Sequence, residues 1–278
     1  MKRILTLMLS LMLLLGLSCS IALADDGTKV YVTIADKDGK LVLVQESITV
    51  TDIDSDGKLT INDALYCAHD AKFDGGAAAG YLSEMSEYGL SLKKLWGTDN
   101  GTGYGYYVNN VGAMSLADEV ADGAYISAFI YTDTTTWSDT FCYFDKNTAS
   151  VKTDEDVVLT LTSVGFDASY NTVLSPVDKA NISLNGKAVD TQTGADGKVT
   201  LKFSEAGTYV VSAKSDSMTL VPPACVITVE KAASENPPVD KPADNTPKTG
   251  DTAQLAIIAI IAVAALAGIV LVKRYRAE

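Results

Sequence analysis

Near its start the chain concentrates carboxylates in one stretch of twelve residues, Asp52-Ile53-Asp54-Ser55-Asp56-Gly57-Lys58-Leu59-Thr60-Ile61-Asn62-Asp63. Acidic side chains stand at positions one, three, five and twelve, and glycine stands at six. This is the spacing of a calcium loop: alternate side chains converge on one point, and glycine allows the sharp turn. The Lys58 carbonyl would add an oxygen, and Asp63 would close the cage from the following helix. The expected ligand set is Asp52, Asp54, Asp56, Lys58 and Asp63, with Ca2+ as the ion. The same residues also read as a plain turn before a capped helix, with Thr60 as N-cap and Asp63 in the first turn. A second acidic turn, Asp36-Lys37-Asp38-Gly39, has no closing carboxylate and reads as hairpin chemistry.

Nucleophilic chemistry is harder to assemble. The single histidine, His69, falls on a predicted helix with no second histidine or nucleophile at useful spacing. Cys67 is two residues away, and residues two apart on a helix do not face each other. A non-enzymatic protein is expected. Cys67, Cys142 and Cys225 remain once a leader is removed, an odd number that argues against a disulfide framework. A Cys67–Cys142 bridge stays open, and Cys225, between apolar neighbours, reads as core. Tyr104 and Tyr106 share one strand face and Tyr107 the other, so part of this cluster belongs in a core. The alternative is a stacking platform or pocket formed by Tyr81, Trp96 and Tyr106.

Both ends of the chain carry targeting chemistry. Residues 1–24 hold Lys2 and Arg3, an apolar stretch and Ala22-Leu23-Ala24, the pattern of a secretory signal peptide cleaved after Ala24. At the other end Pro247-Lys248-Thr249-Gly250 is followed by an apolar run over 255–272 and by Lys273, Arg274 and Arg276. The run has about the length a bilayer helix needs, roughly 17–25 residues, and its basic end fits the positive-inside tendency. Segment 246–278 resembles the sorting signal of Gram-positive sortase substrates. That resemblance implies cleavage between Thr249 and Gly250, transfer of the threonine to peptidoglycan, and an extracellular, wall-anchored product. Thr246 stands where the most familiar LPXTG-like motif has leucine, which leaves the sortase class open.

Removing five basic and two acidic terminal residues takes the formal charge from −13 to −16. An ectodomain this acidic repels nucleic acid and anionic lipid, so nucleic-acid binding is set aside.

The elements that must position these residues fall into two modules. Over 27–146, alternating strands from Lys29 to Ala35 and from Leu41 to Gln45 predict a hairpin, extended by Ile48 to Val50. Ile61, Ala64, Leu65 and Ala68 recur at helical spacing, ending before Gly75-Gly76. A turn-rich stretch follows, then strands near Tyr104–Asn109, Ala124–Tyr131 and Phe141–Phe144, with a helical or turn piece around 116–120: an α+β order. Over 150–230, short strands separated by Asn185-Gly186 and Asp196-Gly197 turns predict an all-β sandwich. Residues 231–247 hold Pro237, Pro238, Pro242 and Pro247 and read as a semi-extended wall linker.

Three further resemblances attach to these residues. The Asp-x-Asp-x-Asp-Gly loop with Asp63 last is similar to a dockerin repeat, but occurs once. Thr193-Gly194-Ala195-Asp196-Gly197-Lys198-Val199 and Glu205-Ala206-Gly207-Thr208-Tyr209 resemble bacterial immunoglobulin-like domains, which are mostly spacers or adhesive units. Asp63-Ala64-Leu65, Tyr104-Gly105-Tyr106-Tyr107-Val108-Asn109 and Asp122-Gly123 resemble a bacterial family related to the C-terminal β-grasp domain of transcobalamin. It implies a β-grasp module, sometimes a ligand binder, at the surface. Taken with the acidic loop and the anchor, the expected role is binding or adhesion, with calcium stiffening the outer module. A rival is a receptor capturing a corrinoid or glycan for uptake.

Overall fold

The computed structural model describes residues 27–232, apart from 100 and 102. The expected leader, most of the linker, the sorting signal and its apolar span lie outside the described residues.

The first module opens with β1 (Lys29–Ala35) and β2 (Leu41–Thr49). Alternation turns Val30, Val32 and Ile34 fully inward. Between the strands the Asp36 carboxylate accepts the N–H groups of Asp38 and Lys40, as hairpin chemistry requires. Helix α1 (Ile61–Lys72) starts at a Thr60 N-cap, and its predicted stripe Ile61, Ala64, Leu65 and Ala68 is completely buried. A short α2 (Gly76–Gly80) follows where the sequence suggests only a stop.

The turn-rich stretch is in fact a small antiparallel sheet, β3 (Leu82–Ser86), β4 (Gly89–Leu95) and β5 (Thr98–Asp99). Then come β6 (Tyr104–Val108), β7 (Val111–Gly112) and β8 (Tyr125–Ile130). Residues 116–120 form turns around buried Leu116 and no named helix. The main sheet runs β2-β1-β8-β6-β7, with β1 and β8 parallel at its centre and the other neighbours antiparallel. Helix α1 shares one apolar core with Val30, Val32 and Ile126 of this sheet.

The second module contains β9 (Cys142–Phe144), β10 (Thr148–Lys152), β11 (Asp156–Phe166), β12 (Thr172–Pro176) and β13 (Asn181–Leu184). It continues with β14 (Lys187–Gln192), β15 (Lys198–Lys202), β16 (Gly207–Lys214) and β17 (Cys225–Glu230). One sheet is ordered β10-β17-β16-β13-β14, the other β12-β11-β15 with β9 beside β11. Their inner faces meet through Leu159, Leu161, Ile182, Val211 and Ile227. Two packed sheets in this order make an immunoglobulin-like sandwich. Asn185 and Gly186 both adopt positive φ, 49° and 77°, as a two-residue hairpin turn demands.

The boundary differs from the expected break at 146. β9 pairs with β11, and Cys142 and Phe144 are buried in the sandwich core, so this strand belongs to the second module. Phe141, just before it, stacks on Tyr107 of the first module at 3.6 Å between ring centroids and 8° between planes. Around that pair a third core gathers Ala35, Phe129, Val164 and Val221. Gln45 adds a polar clamp, its Nε2 donating to the carbonyls of Asn147 and Ala224. All three cores close among residues 27–232, which therefore form a self-contained unit.

Candidate functional site

The acidic loop is held at both ends. Its exit is helix α1, where Thr60 and Asp63 form a reciprocal capping box. Asp63 is 1% exposed. Its Oδ2 accepts from the Thr60 N–H at 2.8 Å and the Thr60 hydroxyl at 2.6 Å, and its Oδ1 from the Ile53 N–H at 3.1 Å. The loop is also strapped to segment 114–120: the Ile61 N–H donates to the Asp118 carbonyl, the Val120 N–H to that of Leu59, and Lys58 pairs with Glu119.

Within this frame one oxygen each from Asp52, Asp54 and Asp63 lies within 4.8 Å of the others. Asp56 is not in that group; its Oδ1 accepts the Lys58 N–H at 2.8 Å. The Gly57 N–H, 2.8 Å from Asp52 Oδ2, leads the contacts that hold the Asp52 carboxyl below its usual range. Asp54 moves the other way: partial desolvation, then the charge of Asp56, pushes its carboxyl up. Gly57, at φ 85°, supplies the turn that the spacing called for. The donor set is all oxygen and under like-charge repulsion, which suits a hard divalent cation.

His69 is fully buried and spent on the fold. Its Nδ1 lies 2.6 Å from the Leu65 carbonyl and its Nε2 accepts the Trp96 N–H at 3.0 Å. Burial pulls its pKa from 6.5 to about 4, so the ring is neutral at pH 7. Cys142 and Cys225 are buried thiols, the latter pushed up to about 12 by burial, and Cys67 is half-buried; all three are unbridged. The Cys67–Cys142 bridge does not form.

The aromatic platform does not assemble. Tyr81 is a core residue, 6% exposed, with its hydroxyl donating to Asn62 Oδ1 at 2.8 Å. Trp96 packs against His69 and Phe73. Tyr106 is half-buried on the same core. Tyr104 does face with Tyr106 and away from Tyr107, as alternation requires. Asn62 was not singled out from the sequence; it accepts from both Tyr81 and Ser83 and ties α1 to the small sheet. On a helical wheel it stands about 60° beyond the edge of the Ile61, Ala64, Leu65 and Ala68 stripe, so its spacing gave no signal.

A cleft of about 470 Å³ opens where the β1–β2 turn meets the segment after β16, lined by Lys37, Asp38, Thr132, Lys214, Asp216 and Met218. None of these was expected to act together, because they come from both modules.

No protein-family model matches the chain, and no curated protein matches it. Among solved structures it is similar to the PKD domain of human KIAA0319 at 14% identity, over 42% of this chain and 97% of that one, with a TM-score of 0.23. Fibronectin(III)-like modules of Clostridium thermocellum CbhA match at 10% identity, over 51% and 83%, with a TM-score of 0.26. The Bacteroides ovatus mixed-linkage glucan utilization protein SGBP-B, solved with a heptasaccharide, matches at 13% identity, over 58% of this chain and 40% of its own length, with a TM-score of 0.22. Scores this low assign neither fold nor function. The immunoglobulin-like description rests on strand order alone.

Proposed function

We propose that this chain is a secreted binding or adhesion protein of a Gram-positive surface, non-enzymatic, fixed to peptidoglycan by sortase through Thr249, with a calcium-stiffened outer module. The observation that carries the calcium reading is the convergence of Asp52, Asp54 and Asp63 within 4.8 Å on a loop anchored by a helix cap. Those carboxylates would hold the ion, with Asp56 and the Lys58 carbonyl as the remaining candidate donors. Bound calcium would supply the positive charge that the cluster lacks. The anchor is supported by the order of Pro247-Lys248-Thr249-Gly250, apolar run and basic tail. A β-grasp identity for the first module is supported by a hairpin, a helix across the sheet and a parallel central strand pair.

The sandwich then serves as a stalk. The rival reading, capture of a small ligand such as a corrinoid or glycan, would draw support from the open cleft lined by Lys37 and Lys214 rather than from Tyr81, Trp96 and Tyr106.

Calorimetric titration of calcium into the 27–232 unit tests the proposal. One equivalent should bind, with an affinity in the range of extracellular modules, about 0.1–1 mM. Stability should rise by about 2.7 kcal/mol at a hundredfold excess over Kd. Asp54→Asn should remove both responses. No heat and an unchanged melting temperature at saturating calcium would leave the loop as a capped-helix turn.

A further inference from the structure

Gln45 stands at the joint between the two modules in a conformation that its residue type avoids. Its φ is 45°, in the left-handed region that is costly for any residue with a Cβ. The cause is a β-bulge. Val32 faces Glu46 and Ile34 faces Leu43, so Thr33 alone opposes both Val44 and Gln45, and the Thr33 hydroxyl accepts the Gln45 N–H at 3.0 Å. A bulge re-aims the side chain it carries. Here it turns Gln45 toward the sandwich, where both Nε2 hydrogens are used, one on the Asn147 carbonyl at 2.9 Å and one on the Ala224 carbonyl at 3.2 Å.

Those two bonds fix the orientation of the amide, because a flipped amide would set its oxygen against two carbonyls. Oε1 is then the polar atom left over. It is buried and accepts no hydrogen bond from any of the described residues. Buried side-chain oxygens are in the large majority paired, and one that the protein leaves alone calls for a partner outside the chain. Beside it lies a cavity of about 30 Å³, lined by Gln45 with Thr33, Asn110 and Ser127 of the first module and Tyr143 and Asn147 of the second. Its wall also includes Pro222 and Pro223, which have no N–H to offer.

The cavity selects its occupant in three ways. The occupant must donate, since the atom in need is an acceptor. It must be neutral: no lining residue is charged, in a chain that is 21% charged, and an ion there would go uncompensated. It must also be small, since a water needs at least about 10–15 Å³ and two to four polar partners, which leaves room here for one or two. We propose that the joint is hydrated: ordered water fills this cavity, donates to Gln45 Oε1, and bridges the Ser127 hydroxyl of the first module to the Asn147 side chain of the second. The water completes the Gln45 clamp and holds the outer module on the sandwich, whatever ion or ligand that module binds.

Relaxation dispersion of the solvent oxygen nucleus, measured on the 27–232 unit, counts waters held for longer than the protein takes to tumble. Ser127→Leu fills the cavity and touches neither Nε2 bond. Gln45→Met keeps the length of the side chain and removes the acceptor. Each should lower the parent's count by about one or two waters, with circular dichroism reporting that the fold is kept. A crystal structure of the parent should show water at hydrogen-bonding distance from Gln45 Oε1, about 2.5–3.0 Å, and none there in Ser127→Leu. An equal count in the parent and in either folded variant would overturn the proposal. So would a dry cavity in the crystal, density there for a larger solute, or a Gln45 side chain turned so that the protein itself satisfies Oε1.

Discussion

Acidifying the solution from pH 7 to pH 5 should loosen the first module through one group. His69 is the only histidine of the chain. Its ring serves the Leu65 carbonyl with Nδ1–H and takes the Trp96 N–H at Nε2, an arrangement only the neutral tautomer satisfies. Burial lowers its pKa to about 4 from the 6.5 of an unperturbed imidazole. Between those values the unfolded chain binds more protons than the folded one, so stability rises with pH. The contribution is complete above 6.5 and is lost as pH falls toward 4. At 1.36 kcal/mol per unit the whole span is worth about 3 kcal/mol, of which about 2 kcal/mol disappears between pH 7 and 5. For a unit of this size that lowers the melting temperature by about 4–8 °C. Trp96 lies 5.2 Å from the imidazole, centroid to centroid. With Trp137, the other of the two tryptophans, changed to Phe, its fluorescence should report the same transition. His69→Gln, which does not titrate, should be less stable at pH 7 and flat across the window. A wild-type melting temperature independent of pH from 7 to 5, or a slope that persists in His69→Gln, would refute the reasoning.

Gly105→Ala should lower the urea midpoint by about 1–3 kcal/mol of stability, since its Cβ would stand 2.1 Å from the Phe129 ring; an unchanged midpoint would mean that Phe129 moves freely. Tyr107→Ala removes one ring of the 3.6 Å stack on Phe141. It should cost about 1–3 kcal/mol and split calorimetric unfolding into separate transitions for the two modules, against a single transition in the parent. Asp63→Ala should destabilise the calcium-free protein by about 1–2 kcal/mol, because it removes the cap partner and the acceptor of the Ile53 N–H; chelator-treated samples melted side by side provide the check.

Those regions that obey period and turn chemistry were legible from residues alone. The β1–β2 hairpin, the stripe on α1, and the Asn185-Gly186 and Asp196-Gly197 turns lie where their sequences require. The failures have physical causes. β3 keeps both of its faces largely in solvent, so Met85 and its neighbours show no inward alternation to read. The turn joining β4 to β5 places Trp96 at φ 47°, a conformation that ordinary turn rules reserve for Gly, Asn or Asp. It is held there by His69 Nε2 and Phe73, which are distant in sequence. α2 begins at Gly75 and Gly76, both at positive φ, so its start looks like a stop. β9 went to the wrong module because a strand of three residues carries no mark of its partner; the pairing with β11 decides it. Tyr81 and Trp96 look like a platform when only their types are visible, and become core once Asn62 and His69 claim their polar atoms.

Spacing could not separate the two readings of the acidic loop, because Asp63 serves both. It is the last position of a calcium loop and also the third residue of helix α1, where a capping box needs its carboxylate. A loss of calcium response in Asp63→Ala would therefore be ambiguous, since the cap fails at the same time. Asp54 discriminates. It takes no part in the cap, and in the absence of a cation its charge meets Asp56 and Asp63 while desolvation already pushes its carboxyl up. Without calcium, Asp54→Asn relieves that repulsion and keeps an oxygen for the Asp56 N–H, so the variant should melt no lower than the parent. With saturating calcium the order should reverse, because the parent gains an ion that the variant cannot hold. Melting curves with and without calcium that fail to cross would leave the cluster as local turn chemistry, with the capping box as its whole purpose.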